Sequence, residues 1–186
     1  MAFPPAHVLV GAGVAEVVRS GTAAPLPRWR AWAFSAALAV LPDLDIVLGI
    51  ALGRGGLYHG TFTHSIPAIV VTGLLCRAVL GPPWGVLAAA GYGSHLVVDL
   101  LDDRGRTNVL LGWPFTDERP FAIARIFPKV EFQTEGGLRD SMLSLFEPRA
   151  VAMLLAQTAV AAGFFVGLLL VADAMRRVGE RVRRSP

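Results

Sequence analysis

A chain of 186 residues allows one domain and leaves no room for a separate soluble catalytic module. Its hydrophobic fraction of 54% exceeds the ~45–50% usual in soluble globules, and its charged fraction of 17% falls below their roughly 25%, which excludes an ordinary water-soluble domain. The net charge of +3 does not mark a nucleic-acid binder, because most of the positive charge is arginine at the ends of apolar segments, where it anchors helices.

Five apolar segments follow one another along the chain. The first, Pro5 to Val18, is short and carries Glu16; it reads as a thin span or as a re-entrant or interfacial helix. The second, Trp29 to Gly53, is interrupted by Pro42, Asp43 and Asp45. The third, Ile66 to Leu80, stops at Gly81-Pro82-Pro83, a helix end followed by a fresh start. The fourth, Trp84 to Leu101, holds His95 and Asp99. A polar stretch from Asp102 to Arg149 comes next, with eight acidic and seven basic residues. Trp113, Phe115, Phe121, Phe127 and Phe132 punctuate it, and it reads as an extramembrane loop or cap with its aromatics near the headgroups. The fifth segment, Ala150 to Ala172, contains 23 residues without a charge, enough to cross a hydrocarbon core of ~30 Å as a helix. A basic tail, residues 173–186, completes the chain. The expected fold is therefore all-α: one domain, residues 1–186, built as a multi-pass transmembrane bundle of four to five segments with a polar cap over 102–149.

If all five segments cross, one face holds Arg19, Arg28, Arg30, Arg77, Arg176, Arg177, Arg181, Arg183 and Arg184, and the other holds Arg54 and the charge-balanced stretch. The basic face marks the cytoplasm, which puts the C-terminus inside and the polar stretch outside. The N-terminus has neither the basic region nor the small-residue cleavage site of a secretory signal, so Met1 is expected to stay. Cys76 reads as an inert thiol in an apolar stretch, and Gly11-Ala12-Gly13 as close helix packing rather than a phosphate loop.

Ionisable groups inside apolar segments cost some ~2.5–3.5 kcal/mol each on insertion, which makes them functional candidates. They form four groups: His7; Asp43 and Asp45; His59 and His64; and His95 with Asp99, followed by Asp102 and Asp103. His95 and Asp99 stand four apart and share a helix face. Following the crossings, the start of segment one, the end of two, the start of three and the end of four all reach the same side. Every histidine in the chain can then meet the aspartates at one membrane face, the outer one in this orientation. Imidazole and carboxylate are the ligand set of zinc, manganese and related divalent ions. Four histidines and at least three aspartates exceed the needs of one catalytic zinc, which fits either a two-metal site with a bridging carboxylate or a second layer that orients the histidines. His7 taken alone is as readily a structural group, and Asp102 and Asp103 are equally solvated residues at a helix end.

At these residues the chain resembles the YdjM-like family of inner-membrane-associated metal-dependent hydrolases. The resemblance rests on Leu41-Pro42-Asp43-Leu44-Asp45, on His59 through Ser65, on His95 with Asp99-Leu100-Leu101, and on Leu111-Gly112-Trp113-Pro114-Phe115. The family's pattern around the histidine pair is His-Arg-Gly-x-Thr-His-Ser; here Gly60 and Thr61 replace the Arg-Gly, with the ligand spacing intact. The resemblance implies a metal-dependent hydrolase with His7, Asp43, Asp45, His59, His64, His95 and Asp99 as ligands.

The function expected from both lines is hydrolysis of an ester, favouring a phosphoester of a lipid-like substrate at the lipid–water boundary, by metal-activated water. Asp43, Asp45, His95 and Asp99 are the expected catalytic residues. Asp43 or Asp45 bridges, His95 and Asp99 serve one ion, and His59 and His64 serve the other. The cofactor is one or two divalent ions, zinc first and manganese second. The partners are membrane lipids. Two other readings use the same residues differently: a metal carrier or sensor without chemistry, and a membrane scaffold that docks a protein on the polar stretch.

Overall fold

The computed structural model describes residues 3–22, 26–54, 56–101, 107, 109–128, 130 and 137–184. Asp102, Asp103 and Phe132 lie outside them. Among the described residues there are seven α-helices, two short 3-10 turns and no strand, so the expected all-helical class holds. The helices are α1 (Pro4–Gly21), α2 (Arg28–Val40), α3 (Leu44–Ala51), α4 (Ile66–Leu80), α5 (Pro82–Leu100), α6 (Gly137–Ser144) and α7 (Pro148–Arg184). Each expected apolar segment corresponds to a helix or a broken pair of helices.

The breaks follow from local chemistry. Pro42 has no N–H and cannot extend α2, so the chain tightens into a 3-10 turn over Leu41–Asp43 before α3 resumes. Helix α4 starts at Ser65, whose Oγ accepts from the Ala68 N–H at 3.2 Å, one of the four donors a helix start leaves open. It ends at Gly81, whose φ of +95° suits only glycine, and Pro82 and Pro83 open α5 at once.

Helix α1 is the hub. It packs against α7, α2 and α5, while α4 lies against the outer side of α5. Small residues set these spacings, as membrane helix interfaces require. Ser35 of α2 sits between two glycines: its Oγ donates to the Gly11 carbonyl at 2.7 Å, and a Cβ on Gly91 of α5 would stand 2.6 Å from that Oγ. A Cβ on Gly11 would meet the Ala39 Cβ at 2.6 Å. Buried Ala6 and Val10 of α1 join Val98, Phe127 and Ala161 in one core cluster.

The polar stretch is packed onto the bundle. Its apolar residues enter the bundle: Val109, Leu110, Phe127 and Val130 are buried, while Trp113, Phe115, Phe121 and Phe146 are exposed. Backbone bonds sew it on. The Leu110 N–H donates to Gly60 O at 2.8 Å, Ile66 N–H to Leu111 O at 2.9 Å, and Ile123 N–H to Leu100 O at 2.7 Å. Each strap closes over the same end of the bundle. Helix α6, inside this stretch, was not expected. The basic tail also differs, since α7 runs on as a single helix to Arg184.

By length and composition two stretches suffice to cross a membrane, 28–51 (α2 through α3) and 148–183 (α7). Helix α4 is apolar but shorter, at 15 residues, and α1 spends part of its length on His7, Glu16 and Arg19. Among the described residues this criterion therefore supports two of the expected four to five crossings. Val70, Val71, Leu74, Leu75 and Val79 of α4, and Leu155, Val166 and Leu170 of α7, face outward, as lipid-facing residues do.

Replacing Gly91 by valine forces α2 and α5 apart at Ser35. The expected cost is about 1–3 kcal/mol, read as a lower Tm for the detergent-purified protein. An unchanged Tm would show that this contact is slack.

Candidate metal centre

The sequence expectation that the histidines and aspartates converge is met at one end of the bundle. His7 comes from the first turn of α1, Asp43 from the turn after α2, Asp45 from the start of α3, His64 from the turn before α4, and His95 and Asp99 from the last turns of α5. His59 enters from the loop between α3 and α4. Six of the seven are buried; His59, with 10% of its side chain exposed, forms the outer edge.

Asp43 stands in the middle. Its Oδ1 lies 3.6 Å from His95 Nε2, 3.7 Å from His64 Nε2 and 3.8 Å from His59 Nδ1, and its Oδ2 lies 3.8 Å from His7 Nε2. Asp99 flanks it, 3.2 Å from His95 Nε2, 3.6 Å from His64 Nε2 and 3.7 Å from His7 Nε2. The donors fall into two groups that each suit one ion, His7–His95–Asp99 and Asp43–His59–His64. Asp43 lies within 3.8 Å of histidine nitrogens of both groups.

Three features fit a divalent cation. First, the carboxylate oxygens of Asp43 and Asp99 are buried and none makes a hydrogen bond of good geometry, an arrangement that costs several kcal/mol per ion unless positive charge, from a cation or from protonated imidazoles, neutralises it. Second, His64 Nε2 and His95 Nε2 face each other at 3.0 Å. Two imidazole lone pairs at that distance repel unless a cation or a shared proton lies between them. Third, the histidines are oriented from behind. His95 Nδ1–H donates to the Ala39 carbonyl at 2.7 Å, which fixes the tautomer and leaves Nε2 for the centre.

Asp45 belongs to this outer layer. It takes a bond from Thr63 Oγ1 at 2.5 Å, faces His59 Nδ1 at 3.1 Å and stands 3.3 Å from His64 Nδ1. Thr63 Oγ1 also lies 2.9 Å from His64 Nδ1, and Tyr92 Oη holds the Thr63 carbonyl at 2.7 Å. Thr63, Tyr92 and the Ala39 carbonyl were not foreseen. Thr63 had a signal, its place one residue before His64; Tyr92 and Ala39 are remote in sequence and had none.

Burial pushes the His64 imidazole toward its neutral form, but the carboxylates of Asp43, Asp45 and Asp99 outweigh burial and raise its pKa to about 9. Without metal, His64 therefore carries a proton at neutral pH, and a cation must displace it. Apparent metal affinity should rise with pH and level off near pH 9. Calorimetry at pH 7 in buffers of different ionisation enthalpy should register proton release on binding; none would contradict the assignment of His64 as a ligand. Asp45→Asn, which weakens the outer layer without removing an inner carboxylate, should lower metal affinity by about 10–100-fold. Unchanged affinity in a competition titration would remove Asp45 from the site.

Comparison with known proteins leaves curated relatives and solved structures without a match. A family model, described as YdjM inner membrane protein, matches residues 1–179 and so includes every residue of the centre. The chain belongs to the YdjM inner membrane protein family.

Proposed function

We propose that this protein is a multi-pass, metal-dependent hydrolase of the inner membrane, acting on an ester and preferentially on a phosphoester of a lipid-like substrate. The observation that carries this reading is the pair of buried, donor-less carboxylates, Asp43 and Asp99, enclosed by four imidazoles. A purely structural cluster would satisfy those oxygens with hydrogen bonds.

Asp43, Asp99, His7, His64 and His95 hold the cofactor, with His59 at the rim, and zinc is the favoured ion, with manganese second, on the strength of the nitrogen-rich donor set. A divalent cation bound here supplies Lewis acidity, making water a nucleophile near neutral pH and offsetting charge that builds on the attacked group. The protein's own groups do the rest. The Ala39 carbonyl keeps a proton on His95 Nδ1, and Asp45 with Thr63 keeps His59 and His64 turned inward. His59, backed by Asp45 and reached by solvent, is placed to take up or pass a proton at the mouth. The polar stretch covers this end and limits water entry.

The lipid-like substrate follows from what surrounds the rim. Leu44, Leu57, Phe62 and Trp113 are exposed around the turns that carry Asp43, His59 and His64, and aliphatic and aromatic side chains there suit an acyl or prenyl chain better than a soluble metabolite. In the orientation expected from the arginine bias, this face lies outside the cytoplasm.

Purified protein should contain metal and hydrolyse a phospholipid or polyprenyl-phosphate substrate in mixed micelles. His95→Ala and Asp99→Ala should each lose bound metal and slow turnover by roughly a hundredfold or more, since outer-layer changes alone cost ~10–100-fold. Full metal content in His95→Ala would reject the ligand assignment. Metal uptake by reconstituted vesicles with no hydrolysis would favour a carrier instead.

A further inference from the structure

The end of α1 opposite the metal centre holds a second charged cluster that the proposed chemistry does not use. Glu16 is 2% exposed and lies nine residues beyond His7, roughly 13 Å along the helix axis. Three helices supply its partners. Trp32 Nε1 of α2 donates to Oε2 at 2.9 Å, Arg19 of α1 reaches the same oxygen at 3.1 Å, and Arg28 of α2 approaches it at 3.4 Å. Arg176 of α7 donates to Oε1 at 2.8 Å.

This cluster does more than join helices. Three guanidiniums share one carboxylate, leaving two positive charges in excess. Adding Asp173, which pairs with Arg176 and Arg177, sets four guanidiniums against two carboxylates and leaves the same excess. The excess is accessible, because the side chains of Arg28 and Arg176 are 58% and 41% exposed while their inner edges are fixed on Glu16. Arg28 is stacked over the Trp32 ring at 4.6 Å, and Arg30 over Trp29 at 5.2 Å. Arginine backed by tryptophan is the signature of the membrane–water boundary, and guanidiniums held in a fixed fork match the oxygens of a phosphate.

We propose that Arg28 and Arg176, held by Glu16, form a binding site for a phosphate-type oxyanion at the end of α1 away from the metal centre. Glu16 acts as the template: it orders the two arginines and takes up part of their charge, and the oxyanion takes the remainder. A phospholipid headgroup and a free phosphate share this chemistry. The proposal rests on the membrane placement of the bundle and not on hydrolysis, and none of its residues touches the metal centre.

The test compares retention of phosphatidylglycerol and phosphatidylcholine by the detergent-purified full chain, by native mass spectrometry, with inorganic phosphate as competitor. Wild type should retain phosphatidylglycerol preferentially, and the double variant Arg28→Gln/Arg176→Gln should bind it on the order of tenfold more weakly. Glu16→Gln, which keeps an acceptor for Trp32 but removes the counter-charge, should bind more tightly than wild type; a merely structural cluster gives no such gain. Arg183→Gln, in the same basic helix but outside the cluster, should match wild type. Competition by millimolar phosphate identifies a free-anion site, and its absence a headgroup site. Weak binding of both ligands by wild type, or equal losses in Arg183→Gln and the double variant, overturns the proposal. The Tm in detergent reports folding in each variant, so failure here is separable from failure of the proposed hydrolase.

Discussion

A carboxylate removed from water must find positive charge or hydrogen-bond donors, and when it finds neither it costs several kcal/mol. That constraint governs both ends of this bundle. At one end, Glu16 is matched by arginine and tryptophan from three helices. At the other, Asp45 is matched by Thr63 and a histidine, while Asp43 and Asp99 face the imidazoles of His7, His64 and His95. The packing between serves these two clusters: glycine and serine bring α1, α2 and α5 close enough for short side chains on different helices to share one centre.

The division of labour among the aspartates shows how geometry sorts residues of one type. Asp43 and Asp45 are separated by one position, but the 3-10 turn at Pro42 points the first into the gap between four imidazoles and sets the second behind them. A regular helix through Leu41 would place these residues about 200° apart around its axis. The proline thus sets which carboxylate faces the gap among the imidazoles and which stands behind them.

Much of this was legible in the sequence, for identifiable reasons. Helix positions followed from runs of apolar residues punctuated by Gly81-Pro82-Pro83 and Pro42, and convergence of the site followed from alternating the direction of successive segments. His95 and Asp99 were paired by the four-residue spacing alone. What escaped the sequence depended on distance along the chain. The Ala39 carbonyl that fixes His95 is 56 residues away, and Tyr92 is 29 residues from the Thr63 carbonyl it holds. The charge balance of 102–149 concealed Phe127 and Leu110, whose burial depends on the ends of α5 and on the loop around Gly60 rather than on local pattern. Glu16 stood out as a charge in an apolar segment, yet its partner Arg176 lies 160 residues on.

That last separation bears on biogenesis. The first helix is fastened at both ends to the last: the Phe3 N–H donates to Gln157 Oε1 across 154 residues, and Glu16 binds Arg176. Contacts so remote form late, after the intervening chain has been made and inserted. His7 rides on that first helix, whose other neighbours, α2 and α5, are made long before α7. The last helix therefore clamps a wall that the earlier helices have already set in place.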